Sequence, residues 1–194
     1  LLALDDPDGE EALITPVCAD ADGNFSYMYK FGENAVSGVY NAVVSAGSKS
    51  RKAEGTYIAR QLQQELLGIV NSAKTAAQVT PILEKYGAAL GIGDAAKYEF
   101  IAETLIEQAP YSSYADFTAM ALRACDTLDK LNATAWSGMS AFLKANAGLV
   151  MHGAAEYDYY SKLSEKNQNT INRELEKKLP VSGFAAIRSV FSAA

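Results

Sequence analysis

The hydrophobic period changes once along this chain, and that change constrains its fold more than any other feature. From Ala12 to Ala46 apolar residues alternate with period two, the spacing of a strand with one buried face. ALITPVCA runs into the turn DADGN, FSYMYKF places Phe25, Tyr27, Tyr29 and Phe31 on one face, and VYNAVVSA comes after the loop GENAVSG. Asp22-Gly23 between two such runs is a hairpin signal, because Gly supplies the positive φ of a tight turn. Three strands are predicted here, with a fourth at Gly55 to Ala59 (GTYIA). So few strands leave edges and an apolar face open. They must pack on helices, on another chain, or on further strands.

From Gln61 the period becomes that of a helix: Leu62, Leu66, Ile69 and Val70 share a face, as do Val79, Ile82, Leu83, Tyr86 and Leu90. Thr75 with Gln78 spells a capping box for the second helix, which Pro81 should kink or shorten. Asp94 is the predicted cap of a third helix ending before Ala109-Pro110. Ser112 is that of a fourth and Thr134 that of a fifth. A region from Ala154 passes through Ser164 into a longer helix stopped by Leu179-Pro180, and Ser182 opens the last.

The helical part repeats itself. APYSSYADFTAMA from Ala109 aligns with LPVSGFAAIRSVF from Leu179 at an offset of 70, pairing Pro110 with Pro180, Tyr114 with Phe184 and Phe117 with Ile187. Upstream, VNSAKTAAQVTPILEKYGAAL aligns with LNATAWSGMSAFLKANAGLV at 60 to 61, pairing Asn71 with Asn132, Val79 with Met139 and Leu83 with Leu143. The second copy carries about ten extra residues around HGAAEYDYYSKLSEKN. Units this small bury little surface alone, so two copies are expected to share a core. The expected fold class is therefore α+β, mainly α: a short antiparallel sheet within 1–59, then a helical domain, 60–194, of two tandem three-helix repeats at about 70–131 and 132–194.

Charge and composition exclude several functions. A formal charge of −6 with scattered Lys and Arg disfavours nucleic acid, whose binding draws on clustered cations. No stretch reaches the roughly 18 apolar residues of a bilayer span, so no membrane insertion is expected. The chain opens on Leu1 and reads as a piece of a longer polypeptide.

No reaction is legible. His152 is the single histidine, which removes Ser-His-Asp and multi-histidine metal sites within one chain, and it reads as a loop residue. Cys18 and Cys125 read as two small buried hydrophobes, without neighbours at metal-ligand spacing. The acidic run from Asp5 to Glu11 resembles a calcium loop only faintly and reads as a solvated turn. Glu99 and Glu103 at i, i+4 read as a solvated helix face. No catalytic residue, metal ligand or cofactor is assigned. One aromatic cluster could bind a ligand: Tyr157, Tyr159 and Tyr160 of EYDYY, with Trp136, offer rings on which a sugar could stack. The alternative for these tyrosines is a helix face packed inward.

ADADGNFSYMYKFGENAVSGVYNAVVSA resembles the closing strands of immunoglobulin-like β-sandwich modules in large secreted or cell-surface bacterial proteins, through Ala19, Asp20, Gly23, Phe25, Tyr27, Tyr29, Ser37, Gly38, Tyr40 and Val43. The helical part is similar to the alanine-rich helical repeats that come after such sandwiches. The resemblance implies a partial immunoglobulin-like sandwich at residues 1–59, although such a sandwich ordinarily needs about seven strands and about 100 residues. It also implies an extracellular or cell-surface, non-catalytic spacer whose partners are neighbouring domains of its own polypeptide. The alternative is a module that binds carbohydrate or another surface protein through Trp136, Tyr157, Tyr159 and Tyr160.

Overall fold

The computed structural model describes residues 1–32, 34–151 and 153–192. They form a mainly helical α+β protein, a four-stranded antiparallel sheet and then eight α-helices among the described residues. The chain divides into two compact units, Leu1–Gly68 and Ile69–Ala194.

In the first unit β1 (Leu2–Asp5), β2 (Glu11–Thr15), β3 (Gly38–Ala46) and β4 (Lys49–Tyr57) lie in the order β2-β1-β3-β4. The acidic run is the turn of the β1–β2 hairpin. Asp6 Oδ1 accepts from the backbone N–H of Asp8 and of Glu10, both at 2.9 Å, and Gly9 takes φ 81°. DADGN is built the same way: Asp20 Oδ1 accepts from Asp22 N–H at 3.0 Å and Asn24 N–H at 2.8 Å, with Gly23 at φ 82°. An Asp side chain that closes such a turn leaves the left-handed position to Gly, which has no Cβ to clash.

The two turns lead into different structures. The first joins two paired strands, but FSYMYKF after the second does not form the expected strand: none of the described residues between 16 and 37 enters a ladder. Its alternation survives nonetheless. Phe31 stacks on Tyr57 with ring centroids 3.9 Å apart and meets Tyr40 edge-on at 5.0 Å, while Met28, pointing the other way, is 93% exposed. The segment lies over the sheet's face, where apolar contact sets the period without a ladder among the described residues. Pro16, which has no N–H to donate, stops β2 at Thr15. Only Gly55–Tyr57 of GTYIA belong to a strand, the end of the longer β4, whose register runs from Ala46↔Lys49 to Gly38↔Tyr57. Lys49, Arg51, Lys52 and Glu54 on this outer strand discourage further edge pairing. Just before β3 the Tyr40 hydroxyl donates to the Val36 carbonyl at 2.9 Å, and Tyr40 is only 4% exposed.

The helices are α1 (Arg60–Ser72), which crosses the boundary between the units, α2 (Ala76–Tyr86), α3 (Tyr98–Gln108), α4 (Tyr114–Asn132), α5 (Trp136–Val150), α6 (Ala154–Lys162), α7 (Glu165–Glu176) and α8 (Ala185–Ser192). Gln78 Oε1 accepts from the N–H of Lys74 and of Thr75 at 2.7 and 3.1 Å, so α2 starts as expected and contains Pro81. Asp94 caps a single 3₁₀ turn, Ala95–Lys97, ahead of α3. Two predicted caps shift. Ser113, not Ser112, accepts from Asp116 N–H at the start of α4, and Thr134 turns back to donate to Lys130 O at 2.6 Å, serving the end of α4. The first N–H of α5, on Trp136, is met by Glu176 Oε1 at 3.0 Å. Ser164 separates α6 from α7 and caps α7, accepting from Asn167 N–H, and α7 ends at Glu176, short of the predicted stop at Leu179-Pro180.

Within the second unit, Leu83, Leu105, Phe117, Leu143, Leu175 and Ile187 are fully buried. After each proline stop, one asparagine side chain holds the chain. Asn71 Nδ2 donates to Tyr111 O at 2.9 Å and its Oδ1 accepts from Tyr111 N–H at 2.8 Å. Asn132 does the same for Val181, at 2.9 and 2.8 Å. Each amide satisfies both polar groups of a backbone that no helix serves.

Candidate functional site

One concavity lies within the first unit. A cleft of about 740 Å³ opens between the sheet and residues 25–29. Leu2, Leu4, Leu13, Ala42 and Val44 form its floor, and Phe25, Tyr27 and Tyr29 its opposite wall. The floor results from register: Leu2↔Val44, Leu4↔Ala42 and Leu4↔Leu13 are paired, so period-two alternation points all of them to one face. Lys49 and Arg51, aligned with Ala46 and Val44, carry positive charge along one border. The cleft holds no facing acid–base pair; what it offers chemically is apolar burial beside cations.

The aromatic residues singled out from sequence are not gathered into one surface. Tyr160 is in the core at 2% exposure. Its hydroxyl lies 2.6 Å from Ser140 Oγ and donates to Asn172 Oδ1 at 2.8 Å, while Asn172 Nδ2 donates to Ser140 Oγ at 2.9 Å, closing a triangle. Tyr157 packs against it, ring centroids 6.2 Å apart, and Phe191 meets it edge-on at 5.9 Å. Tyr159 is 57% exposed. Trp136 is half-buried beneath the Arg173 guanidinium, 4.4 Å from its ring centroid, a cation–π contact that occupies that face.

The triangle has a sequence logic. Sixty and seventy residues before Ser140 and Asn172 stand Thr80, which donates to Ala76 O at 3.0 Å, and Ala102, which is fully buried. The polar pair occurs where α6 delivers a phenol to be satisfied. Gln168 Nε2 then holds the end of that helix through the carbonyls of Tyr160 and Leu163, at 3.1 and 3.2 Å.

Arg188 of α8 ties three helices. Its guanidinium is bidentate to Glu107 of α3 at 2.7 and 2.7 Å and donates to Leu149 O and Val150 O at the end of α5, at 3.0 and 3.3 Å. The Glu107 carboxylate holds that guanidinium charged. The Asp129 bond likewise raises the Lys97 ammonium pKa; Lys97 Nζ is 2.6 Å from Asp129 and 3.7 Å from Cys125 Sγ. Burial raises the phenol pKa values of Tyr111 and Tyr114 above the ordinary value, and burial together with the smaller effect of the Asp6 charge does so for Tyr40.

Both cysteines are free thiols. Cys125 is half-buried, but Cys18 is exposed, correcting its reading as a buried hydrophobe; its neighbours Val17 and Ala19 line the cleft, and alternation turns Cys18 outward. Asp6 spends Oδ1 on its own turn, and among the described residues no three His, Cys, Asp or Glu side chains are grouped to hold a metal ion. Glu99 is exposed at the start of α3. His152 lies outside the described residues. No described helix is long and apolar enough to cross a membrane.

Sequence reasoning passed over Leu2 and Leu4, and placed Leu13 in a strand without assigning it to a site. LALD and EALIT flank DPDGE as alternating runs flank DADGN, and that parallel is the signal that marks the first hairpin.

Among known proteins, no family model, no curated protein and no solved structure matches this chain. Its fold defines the class: a mainly helical α+β protein, a four-stranded antiparallel sheet and then eight helices among the described residues.

Proposed function

We propose that this chain is a non-catalytic structural module of a secreted or cell-surface bacterial multidomain protein, a spacer that supports neighbouring domains of the same polypeptide. The observation that carries the reading is the pair of asparagine clamps, Asn71 on Tyr111 and Asn132 on Val181. They favour a helical unit of two tandem three-helix repeats, α2, α3 and α4, then α5, α7 and α8, with α6 inserted in the second. Among the described residues every buried side-chain nitrogen and oxygen has a hydrogen-bond partner. The buried polar groups of this unit thus serve helix ends and one another.

The sheet unit fits half of an immunoglobulin-like sandwich. In the variable-type domain one sheet carries strands C′, C, F and G side by side, and a tyrosine near the start of strand F bonds back to the backbone upstream. The order β2-β1-β3-β4 and the Tyr40–Val36 bond match both features, with residues 25–31 in the place of a strand from the facing sheet. Fold analogy supports architecture only; the spacer role draws on the asparagine clamps, which spend buried amides on holding the chain after each proline stop.

A second reading, a carbohydrate- or protein-binding surface, draws on Tyr159, the exposed member of the aromatic set. Calorimetric titration of the purified chain with soluble polysaccharides and cell-wall preparations separates the two. Absence of saturable heat supports the spacer. Saturable binding lost in Tyr159→Ala overturns it in favour of recognition through α6.

A further inference from the structure

We propose that the cleft of the first unit is an acceptor groove for one more β-strand, an extended peptide from outside residues 1–194 with apolar side chains at alternate positions and an acidic side chain at one end. The inference rests on the half-sandwich reading and goes beyond it by naming what the cleft takes.

Three observations converge. Phe25, Tyr27 and Tyr29 point into the cleft, yet the backbone that carries them enters no β-ladder among the described residues. A segment in that state offers a row of N–H and C=O groups to an incoming strand. Second, the cleft is apolar, open and about 740 Å³, space that the side chains on one face of a strand fill. A small apolar ligand would fill the volume but leave the backbone of residues 25–31 facing water, whereas a strand uses both the volume and that backbone. Third, Lys49 and Arg51 border one end, so the strand that fits carries Asp or Glu there. The outer edge of β4 is the less suitable acceptor, because its own charged side chains must be flanked by the newcomer.

The test fuses a seven-residue strand alternating Val and Thr, with one terminal Asp, ahead of Leu1 through a flexible Gly/Ser linker. Leu1 borders the cleft, so the linker starts at its mouth, and tethering supplies an effective concentration of about millimolar. A control fusion has the same composition with its Val residues grouped together. Hydrogen exchange is read at the amides of Ser26, Met28 and Lys30, with the Tyr111 amide as an internal measure of folding. The expected result is exchange at least about tenfold slower in the alternating fusion than in the control, reduced by Arg51→Glu. Equal exchange in the two fusions overturns the proposal. So does protection of the same amides in the unfused chain that grows with its concentration, which assigns the groove to a second copy. So does dodecanoate binding in the cleft when the alternating fusion protects nothing, which assigns it to a small amphipath. In the unfused chain, ring contacts between Phe31 and Tyr57 by NMR report the half-sandwich separately: if they are absent that reading fails, and if they are present while the fusions are equal only the strand fails.

Discussion

The Tyr160 hydroxyl donates to Asn172 Oδ1 at 2.8 Å, joining α6 to α7 across a fully buried contact. A buried amide deprived of its partner keeps its desolvation cost, about 1–3 kcal/mol. Tyr160→Phe and Asn172→Ala are each expected to lower unfolding free energy by about that much in urea titrations. The double variant should lose less than the sum, with a coupling of about 0.5–3 kcal/mol, because the two groups share one network.

Arg188 is bound by geometry as well as charge. Lys keeps the charge but cannot bridge Glu107 and reach the carbonyls of Leu149 and Val150 together. Arg188→Lys should cost about 1.5–3 kcal/mol, the range for hydrogen bonds to charged groups. A thermal melt showing no shift would mean that the fork contributes nothing.

Alkaline pH should unfold the chain through its buried phenols. Tyr111, Tyr114 and Tyr40 have folded pKa values above the unfolded value near 10. Above that value the unfolded state binds fewer protons than the folded one, so the stability from holding these phenols neutral is complete below about pH 10 and lost as pH rises through the folded pKa values. Phenolate absorbance should show a late-ionising class that titrates together with loss of helix, and in Tyr111→Phe that class should shrink.

Thiol labelling separates the cysteines. Cys18 is exposed and Cys125 half-buried, so a thiol reagent is expected to modify Cys18 first in the native chain and both at one rate in denaturant. Cys125 leading would contradict the placement of both.

The helical half was legible where the sequence encodes local chemistry. Gln78 three residues after Thr75 marks the start of α2, and Asn71 with Asn132 stood in register before any partner was known. Capping is decided by backbone direction at single residues, so Ser112 gave way to Ser113 and Thr134 bonded backward. The sheet half was misread where period two does not distinguish pairing from facing. Phe25 to Phe31 alternates because Phe31 covers Tyr40 and Tyr57 while Phe25, Tyr27 and Tyr29 line the cleft, and no local signal tells such a segment from a strand. The aromatic cluster divided for a similar reason: Tyr159 and Tyr160 are adjacent, and a helix turns them toward solvent and core respectively.

Hydrogen exchange at two amides tests the proposed repeated scaffold most directly. In the wild-type chain Tyr111 and Val181 should both exchange slowly. Asn71→Ala should release Tyr111 alone, Asn132→Ala should release Val181 alone, and each should speed exchange by roughly 5- to 150-fold, the equivalent of about 1–3 kcal/mol. Rapid exchange at either amide in the wild type, or release of one without any effect at the other in its own variant, would contradict a scaffold built twice on the same clamp.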